Sequence, residues 1–366
     1  MKILLIRFTA LGDVAMLAPI VREAALERPQ DEFCVLSMPF CAPLFDDIAE
    51  NVTFIGRNIK KDYKGVVGIY RLFKELDDMH FDLVCDMHDV LRTKMLRVCF
   101  HTHGYKVFKI DKHRKLRRLI TAPEGKKVLK QLPTSFGNYR DVLRQALPDT
   151  KTVTPNNPTP NPPLSAFSRC FYKAERLREP PTPNPQPPTR IGIAPFAAHE
   201  GKIYPPEQME RLIALLSENI QRSSNGSTGG TINPGIYLFG GGGKERDTME
   251  AWAEKFANVH LASETHKGLR EELQLMRELD VMVSMDSANM HLASLAGTRV
   301  VSIWGATHPM AGFLGWQQSS DDCVQLELPC RPCSIYGNKP CIYGDLRCMK
   351  GITPEKVMQR IVNPTF

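Results

Sequence analysis

The chain has 366 residues, of which 42% are hydrophobic and 24% charged, and its formal net charge is +7. This length allows two domains of ordinary size, and the composition excludes a disordered or fibrous protein. No apolar run approaches the roughly 20 residues that a membrane-spanning helix needs. Because Arg7 and Asp13 interrupt the apolar N-terminal stretch, we predict no signal peptide and expect a cytoplasmic protein.

The first part of the chain alternates short apolar runs with amphipathic stretches. Strands are predicted at KILLIR, FCVLS, VTFIG, FDLVCDM and YKVFKI. Helices are predicted from about Val14, from Val67 to Met79 and from about Val90. This alternation is typical of βαβ units, so residues 1–150 are predicted to form a doubly wound α/β domain with a parallel sheet.

A proline-rich stretch follows. Twelve of the 28 prolines fall between Pro148 and Pro188, a density that blocks helices and central strands, so residues 151–189 are predicted to be a linker. Strands are predicted again at RIGIAPF, IYLFGG, NVHLAS, DVMVSMD and RVVSIWG. Helices are predicted from Pro206 to about Gln221, from Glu245, from Leu269 to Leu279 and from Ala288 to Ala296. Residues 190–350 therefore read as a second doubly wound domain.

Ligands of such domains bind beyond the carboxyl ends of the strands, so the polar residues there are site candidates. Gly12 and Asp13 follow the first strand, but TALGDV lacks the glycine spacing of a dinucleotide fingerprint, and an acid there repels phosphate. Asp13 is a candidate general base; the alternative is that it only stabilises the start of its helix. The loop in FDLVCDMHDVLRTK adds Asp86, His88 and Arg92, which we expect to orient the hydroxyls or an acidic group of a substrate.

Three loops of the second domain form a convergent set. Asp286, Ser287, Ala288 and Asn289 open a helix whose free backbone N–H groups suit an anion, and His291 lies one turn further on. The alternative is that Asp286 and Ser287 only cap this helix. Lys202 on the loop IAPFAAHEGKIYPPEQ is placed to reach a diphosphate, although a single loop lysine is more often exposed. Glu245 follows the glycine-rich turn of LFGGGGKERD and can accept hydrogen bonds from ribose hydroxyls.

Four motifs in this order resemble glycosyltransferase family 9, the ADP-heptose:lipopolysaccharide heptosyltransferases and their relatives. They are ILLIRFTALGDV, GKIYPPEQ, FGGGGKE and MDSANMHLASLAGTRVVSIWGATHP. The resemblance implies a GT-B fold of two Rossmann-like domains facing a cleft, with the acceptor on the first and the nucleotide sugar on the second. It also implies that residues 351–366 form a helix that crosses back to the first domain.

The same resemblance implies a role for each motif residue. Asp13 would be the catalytic base of an inverting transfer that needs no metal and no cofactor. Donor contacts would come from Lys202, Glu245, Asp286, Ser287, Ala288 and His291. The implied donor is ADP-heptose, with another nucleotide sugar as the alternative. The implied acceptor is an anionic glycolipid of the lipopolysaccharide core or a related surface glycan. The protein would then lie peripherally at the cytoplasmic face of the inner membrane.

A basic stretch, residues 106–130, holds ten lysines and arginines against Asp111 and Glu124. We expect acceptor or membrane contact here, through Lys115, Arg117 and Arg118, because the stretch falls in the predicted acceptor domain. The alternatives are a solvated helix face and nucleic-acid binding. Nucleic-acid binding is not favoured, because it gives the three loops of the second domain no purpose. An NAD-dependent oxidoreductase is not favoured either, because the first turn lacks GxGxxG.

Four cysteines crowd the C-terminal region, at Cys330, Cys333, Cys341 and Cys348. One CxxC followed by wider gaps is an incomplete match to a structural zinc site. Reduced or locally disulfide-linked cysteines are the favoured interpretation, and no metal site is predicted.

Overall fold

A computed structural model describes residues 1–148, 188–223 and 233–363. These residues form two compact units. The first unit contains residues 1–112 and 133–148, and the second contains residues 113–132 together with the described residues from 188 onward. The predicted linker, residues 151–189, falls outside the described residues except for its last two positions.

The first unit is built on a five-stranded parallel sheet with strand order β3-β2-β1-β4-β5. Its strands are β1 (Lys2–Ile6), β2 (Glu32–Ser37), β3 (Val52–Gly56), β4 (Leu83–Asp86) and β5 (Lys106–Lys109). Its helices are α1 (Leu11–Glu27), α2 (Gly65–Asp77), α3 (Leu91–Thr102) and α5 (Ser135–Ala146). Residues 3–6 of β1 and all of β4 are buried, as the continuous apolar runs of central parallel strands predict.

The second unit has a six-stranded parallel sheet with strand order β11-β10-β9-β6-β7-β8. Its strands are β6 (Arg190–Ala194), β7 (Gly235–Leu238), β8 (Val259–Leu261), β9 (Val281–Met285), β10 (Arg299–Ile303) and β11 (Cys323–Val324). Its helices are α4 (Arg114–Ile120), α6 (Pro206–Ser223), α7 (Lys244–Lys255), α8 (Ala262–Thr265), α9 (Leu269–Glu278), α10 (Ala288–Leu295), α11 (Arg347–Lys350) and α12 (Pro354–Val362). The two parallel sheets confirm the predicted α/β class.

The segment 113–132 corrects the predicted domain boundary. Although it lies between two elements of the first unit in sequence, it belongs to the second unit. The backbone N–H of Leu132 donates to the main-chain oxygen of Met310 at 2.8 Å. Lys127 Nζ donates to the main-chain oxygens of Cys330 at 2.7 Å and Pro332 at 2.9 Å. These bonds fix the segment, here named the strap, to the loops after β10 and β11.

The C-terminal helix also differs from the expectation that it crosses back to the first domain. Helix α12 belongs to the second unit and packs on α6. Val357 and Ile361 are one turn apart and fully buried in that unit's core. The hydroxyl of Tyr204 donates to the main-chain oxygen of Ile352 at 2.7 Å, just before the helix. An amphipathic helix is stable when its apolar face is buried, and here the face of α12 is buried against α6 of the same unit.

Across the part of the chain that the structure describes, we find no helix that is both long and apolar enough to cross a membrane.

Candidate active site

In the first unit, the site candidates lie where β1 and β4 end. These neighbouring strands are the point at which the strand order reverses, and ligands of open α/β sheets bind beside such a point. Asp13 follows β1 in the first turn of α1, and His88 follows β4. Asp13 and His88 therefore lie at the same edge of one sheet.

The Asp13 carboxylate is held by Arg7. Arg7 Nη2 lies 2.5 Å from Asp13 Oδ2, and Arg7 Nη1 donates to the main-chain oxygen of Met87 at 2.7 Å. The side chain of Arg7 is 7% exposed and that of Asp13 is 30% exposed. The backbone N–H of Ala10 also donates to Asp13 Oδ2, at 3.3 Å. Asp13 is thus oriented from one side and open to solvent on another, as a proton acceptor for an incoming hydroxyl must be.

Arg7 is a further site candidate, although in the sequence it stands out only as a charge that interrupts an apolar stretch. An arginine directly after a buried strand predicts a nearby carboxylate, because burial of an unpaired charge is costly. Gly12, by contrast, is a buried residue of α1 and does not have a positive φ. Its backbone therefore needs no conformation that other residues avoid.

Asp86 has a structural role. It is completely buried, and Oδ1 accepts the backbone N–H groups of His88 at 2.8 Å and Asp89 at 2.9 Å. Arg97 Nη1 lies 2.9 Å from its other oxygen. The predicted acceptor contact at Asp86 is therefore replaced by a loop-shaping role. Arg92 is exposed on α3.

His88 is the polar side chain that this loop presents. It is 7% exposed, and its Nδ1 has no hydrogen-bond partner among the described residues. Burial, reinforced by Arg7 and Lys112, lowers the pKa of His88 to about 3 despite the opposing effects of Asp13 and Asp89. The imidazole is therefore neutral at physiological pH and suited to hydrogen bonding with uncharged hydroxyl groups.

In the second unit, the equivalent reversal of strand order lies between β6 and β9, and Lys202 and Asp286 meet there. Lys202 Nζ lies 2.7 Å from Asp286 Oδ2 and donates to the main-chain oxygen of Asp286 at 3.1 Å. The Lys202 side chain is only 14% exposed and that of Asp286 only 5%. The alternative of an exposed loop lysine is excluded by this geometry.

Two glycines allow the Lys202 loop its position. A Cβ on Gly337 would lie 2.6 Å from Lys202 Cγ, and Gly337 has a φ of +74°. A Cβ on Gly201 would lie 2.9 Å from the main-chain oxygen of Gly337. The loop 334–338 therefore packs directly along the aliphatic stem of Lys202. Sequence reasoning missed Gly337, because its partner lies far away in the chain.

Helix α10 begins directly after Asp286, with Ser287 at its N-cap position. The Ser287 side chain makes no capping bond, and its hydroxyl lies 3.2 Å from that of Ser284. Ala288 is the first helical residue, and His291, one turn further, is buried. The first N–H groups of a helix have no partner within the helix, so this end can accept an anion beside Lys202.

Glu245 lies in the first turn of α7 and braces the glycine-rich turn. Its Oε2 accepts the backbone N–H of Gly241 at 3.1 Å, and a Cβ on Gly241 would meet the same oxygen at 2.9 Å. The second carboxylate oxygen is not needed for this bond and can accept from a ligand hydroxyl.

Comparison with known proteins identifies the family of this chain. The sequence profile of glycosyltransferase family 9 (heptosyltransferase) matches residues 69–341, most of the chain. The chain is a member of glycosyltransferase family 9. Asp13 precedes the matched range.

Curated relatives agree with this membership. The chain is 29% identical over 131 residues to lipooligosaccharide heptosyltransferase 2 of Campylobacter jejuni strain NCTC 11168, covering 35% of the chain. The match spans only 40% of that relative's length.

Solved structures share the fold over nearly the whole chain. E. coli heptosyltransferase WaaC with ADP-2-deoxy-2-fluoro heptose has a TM-score of 0.64 at 18% identity, covering 99% of both chains. E. coli ADP-heptose lps heptosyltransferase II has a TM-score of 0.60 at 17% identity, covering 99% of this chain and 97% of that one. A family 9 protein of Veillonella parvula has a TM-score of 0.66 at 14% identity, covering 98% and 95%. The predicted GT-B fold is thereby confirmed.

The predicted basic contacts lie elsewhere than expected. Lys115, Arg117 and Arg118 belong to the strap and hence to the second unit, so the premise that they lie in the acceptor domain is wrong. Arg117 packs inward: its guanidinium lies 5.2 Å from the Phe313 ring centroid and donates to the Tyr336 hydroxyl at 2.6 Å.

The C-terminal cysteines are free thiols. Cys330, Cys333 and Cys341 are half-buried and Cys348 is buried, and none of them forms a disulfide with another described cysteine. Within residues 1–148, 188–223 and 233–363, no group of three or more histidine, cysteine or acidic side chains is arranged to hold a metal ion.

Proposed function

We propose that this family 9 chain transfers a heptose from ADP-heptose to a sugar hydroxyl of a lipopolysaccharide core or related surface glycan, with inversion and without a metal. The family supports the reaction class. The donor is supported by WaaC, which shares the fold and is described with an ADP-heptose analogue. The acceptor class is supported by the lipooligosaccharide heptosyltransferases among the relatives.

The observation that carries the proposal is the oriented, partly exposed carboxylate of Asp13. In the proposed step, the acceptor oxygen attacks the anomeric carbon while the bond from that carbon to the diphosphate breaks. The hydroxyl proton passes to Asp13, and the electron pair of the broken bond leaves with ADP. A hydroxyl is a weak nucleophile, so removal of its proton by a positioned carboxylate lowers the barrier. Attack opposite the leaving group gives inversion.

The second unit supplies positive charge to the leaving diphosphate. Lys202 and the backbone N–H groups of residues 287–289 converge beyond β6 and β9, and they stabilise charge as it develops. Asp286 keeps Lys202 in place, His291 donates to the phosphate or donor sugar, and Glu245 accepts from the ribose. Because a cation and a helix terminus already provide this charge, the proposal requires no metal.

The acceptor is proposed to lie against the first unit, beside His88 and the start of α1 at Gly12. Neutral His88 hydrogen-bonds a hydroxyl near Asp13, and Asp86 acts by fixing the backbone of this loop. Exposed Arg92 is placed to meet acidic groups of an anionic glycolipid. Such an acceptor locates the enzyme peripherally at the cytoplasmic face of the inner membrane, with no nucleic-acid partner.

Asp13→Asn tests the proposal. We expect transfer to fall by about 100-fold or more, because the amide cannot accept the proton, while ADP affinity stays unchanged. Asp141→Asn, on the exposed side of α5, is the matched control and keeps its activity. Near-normal turnover by Asp13→Asn contradicts the base role.

Donor identity needs a separate measurement. We expect ADP-heptose to raise the melting temperature more than GDP-sugars, UDP-sugars or NAD. Transfer that persists in EDTA supports metal independence, and the anomeric coupling of the product reports inversion. Stabilisation by NAD alone contradicts the proposal in favour of an oxidoreductase.

A further inference from the structure

The strap, residues 113–132, uses some of its charge to hold itself in place. Arg117 donates to Tyr336, and Lys127 donates to the main-chain oxygens of Cys330 and Pro332. Burial lowers the pKa of Lys127, although the thiols of Cys333 and Cys330 oppose this. These two cations are the inward-facing anchors of the strap.

The remaining charge of the strap points outward. Five of its cations are exposed, namely Arg114, Lys115, Arg118, Lys126 and Lys130. The single acid of the strap, Glu124, accepts a hydrogen bond from the Tyr343 hydroxyl at 2.8 Å. The outward face is therefore strongly positive and carries little compensating charge.

Apolar side chains are interleaved with these cations. Leu119 of α4 is 46% exposed, and Val128 and Leu129 of the following loop are 53% and 52% exposed. The backbone N–H of Val128 donates to the main-chain oxygen of Leu119 at 3.2 Å, which brings the helix and the loop side by side. Exposed Ile342 and Tyr343 extend the apolar surface, because Tyr343 bonds to the strap.

A surface of cations around exposed aliphatic side chains matches a bilayer with negatively charged headgroups. The cations attract the headgroups, and the aliphatic side chains leave water for the acyl boundary. A nucleic acid bound to the strap would leave Leu119, Val128 and Leu129 in contact with water, because phosphates and base edges make few contacts with aliphatic side chains. We propose that the strap docks this chain onto an anionic phospholipid surface. The inference deepens the proposed function, since a membrane-anchored acceptor gives the contact its use.

A second basic surface on the first unit provides the comparison. Helix α2 and the residues before it expose Lys60, Lys61, Lys64 and Lys74 next to Val66 and Val67. Its charge is partly compensated, because Lys74 lies 3.8 Å from Asp77 and Asp62 adjoins Lys61. Removing four cations from either surface changes the net charge by the same amount. A difference in vesicle binding between the two variants therefore depends on where the cations lie.

The experiment is co-sedimentation of the full chain with phosphatidylcholine vesicles, with and without phosphatidylglycerol. The strap variant combines Lys115→Gln, Arg118→Gln, Lys126→Gln and Lys130→Gln; the control combines Lys60→Gln, Lys61→Gln, Lys64→Gln and Lys74→Gln. We expect the strap variant to lose at least about tenfold in partitioning to anionic vesicles, and the control to lose much less. Leu119→Ser with Leu129→Ser, which keeps all charges, is expected to weaken binding as well.

The outcomes separate clearly. Equal losses in both charge variants overturn the proposal, as does wild-type protein that binds single-stranded RNA but not anionic vesicles. Unchanged ADP binding by the strap variant shows that the second unit is folded. Vesicle binding needs no turnover, so a failed docking test leaves the proposed transfer reaction standing, and a failed transfer assay leaves the docking result standing.

Discussion

Lys202 and Asp286, 84 positions apart, are joined by an ion pair of 2.7 Å and a hydrogen bond of 3.1 Å between Lys202 Nζ and the Asp286 main chain. This pair holds the ammonium at the start of α10, where the diphosphate is proposed to bind. We expect Lys202→Gln to weaken ADP binding by about tenfold or more, because charge-assisted hydrogen bonds contribute roughly twice as much as neutral ones. Isothermal titration calorimetry measures this directly.

The control for Lys202→Gln is Lys255→Gln. Lys255 is an exposed lysine at the end of α7, paired with Glu210. Its removal changes the net charge equally but leaves the loops after β6 and β9 intact. Equal losses of ADP affinity in both variants would show that Lys202 acts only through net charge.

Gly337 and Gly344 form a matched pair for testing the Lys202 loop. Both have left-handed backbones, with φ of +74° and +71°, but only a Cβ at Gly337 meets another residue. We expect Gly344→Ala to lower the free energy of unfolding by about 1 kcal/mol through backbone strain alone. Gly337→Ala is expected to cost more and also to weaken ADP binding, because its Cβ displaces the Lys202 stem. Indistinguishable ADP affinities in the two variants would remove Gly337 from the site.

Arg7→Lys tests whether the guanidinium orients Asp13. A lysine keeps the charge but cannot bond Met87 and Asp13 with two fixed nitrogens. We expect kcat to fall by about tenfold, since small displacements of a catalytic group are costly, with ADP affinity unchanged. Arg140→Lys, which alters the two-nitrogen contact with Glu23 in the same unit, should leave kcat near wild type. A normal kcat for Arg7→Lys would mean that Asp13 needs only a neighbouring charge.

Asp86→Asn separates a structural role from acceptor binding. Its buried carboxylate accepts two backbone N–H groups and pairs with Arg97. The substitution leaves Arg97 with Asp89 as its remaining carboxylate, at 3.2 Å, and removes the charge that strengthens two buried backbone hydrogen bonds. We therefore expect a loss of about 3 kcal/mol in the free energy of unfolding. Chemical denaturation measures it, with Asp141→Asn, which removes an exposed ion pair, as the control. A stable variant with a raised acceptor KM would restore the acceptor-contact interpretation.

The sequence placed Asp13, Asp86, Lys202 and Asp286 at strand ends because parallel strands of alternating βα units all end at one edge of the sheet. What it could not supply were contacts between distant residues. Arg7 bonds the main chain of Met87, which lies 80 positions away in the sequence. Lys202 lies so close to Gly337 that a Cβ at this position would overlap the lysine side chain. Neither contact produces a pattern of hydrophobic or polar residues that could be recognised in the sequence.

Helix α4 and the place of the strap in the second unit were missed for a related reason. In residues 106–130 the charge pattern obscures the apolar positions of α4, and the strap is fixed to main-chain oxygens of the second unit. A main-chain oxygen exists at every residue, so no sequence pattern identifies it as a partner. The same holds for α12, whose stripe of Val357 and Ile361 predicts burial but does not indicate which unit buries it.

His88 predicts a specific loss of stability in acid. Its folded pKa of about 3 lies below the ordinary value of 6.5, so between these values the unfolded chain binds more protons than the folded one. Stability is therefore retained above pH 6.5 and falls as the pH is lowered towards 3. Between pH 7 and pH 5 we expect this group to cost about 2 kcal/mol, and His88→Gln should remove that part of the pH dependence. Denaturation of both proteins at pH 7 and pH 5 measures it, with His101→Gln, at an exposed position of α3, as the control. An unchanged pH dependence in His88→Gln would mean that the histidine stays accessible to protons in the folded state.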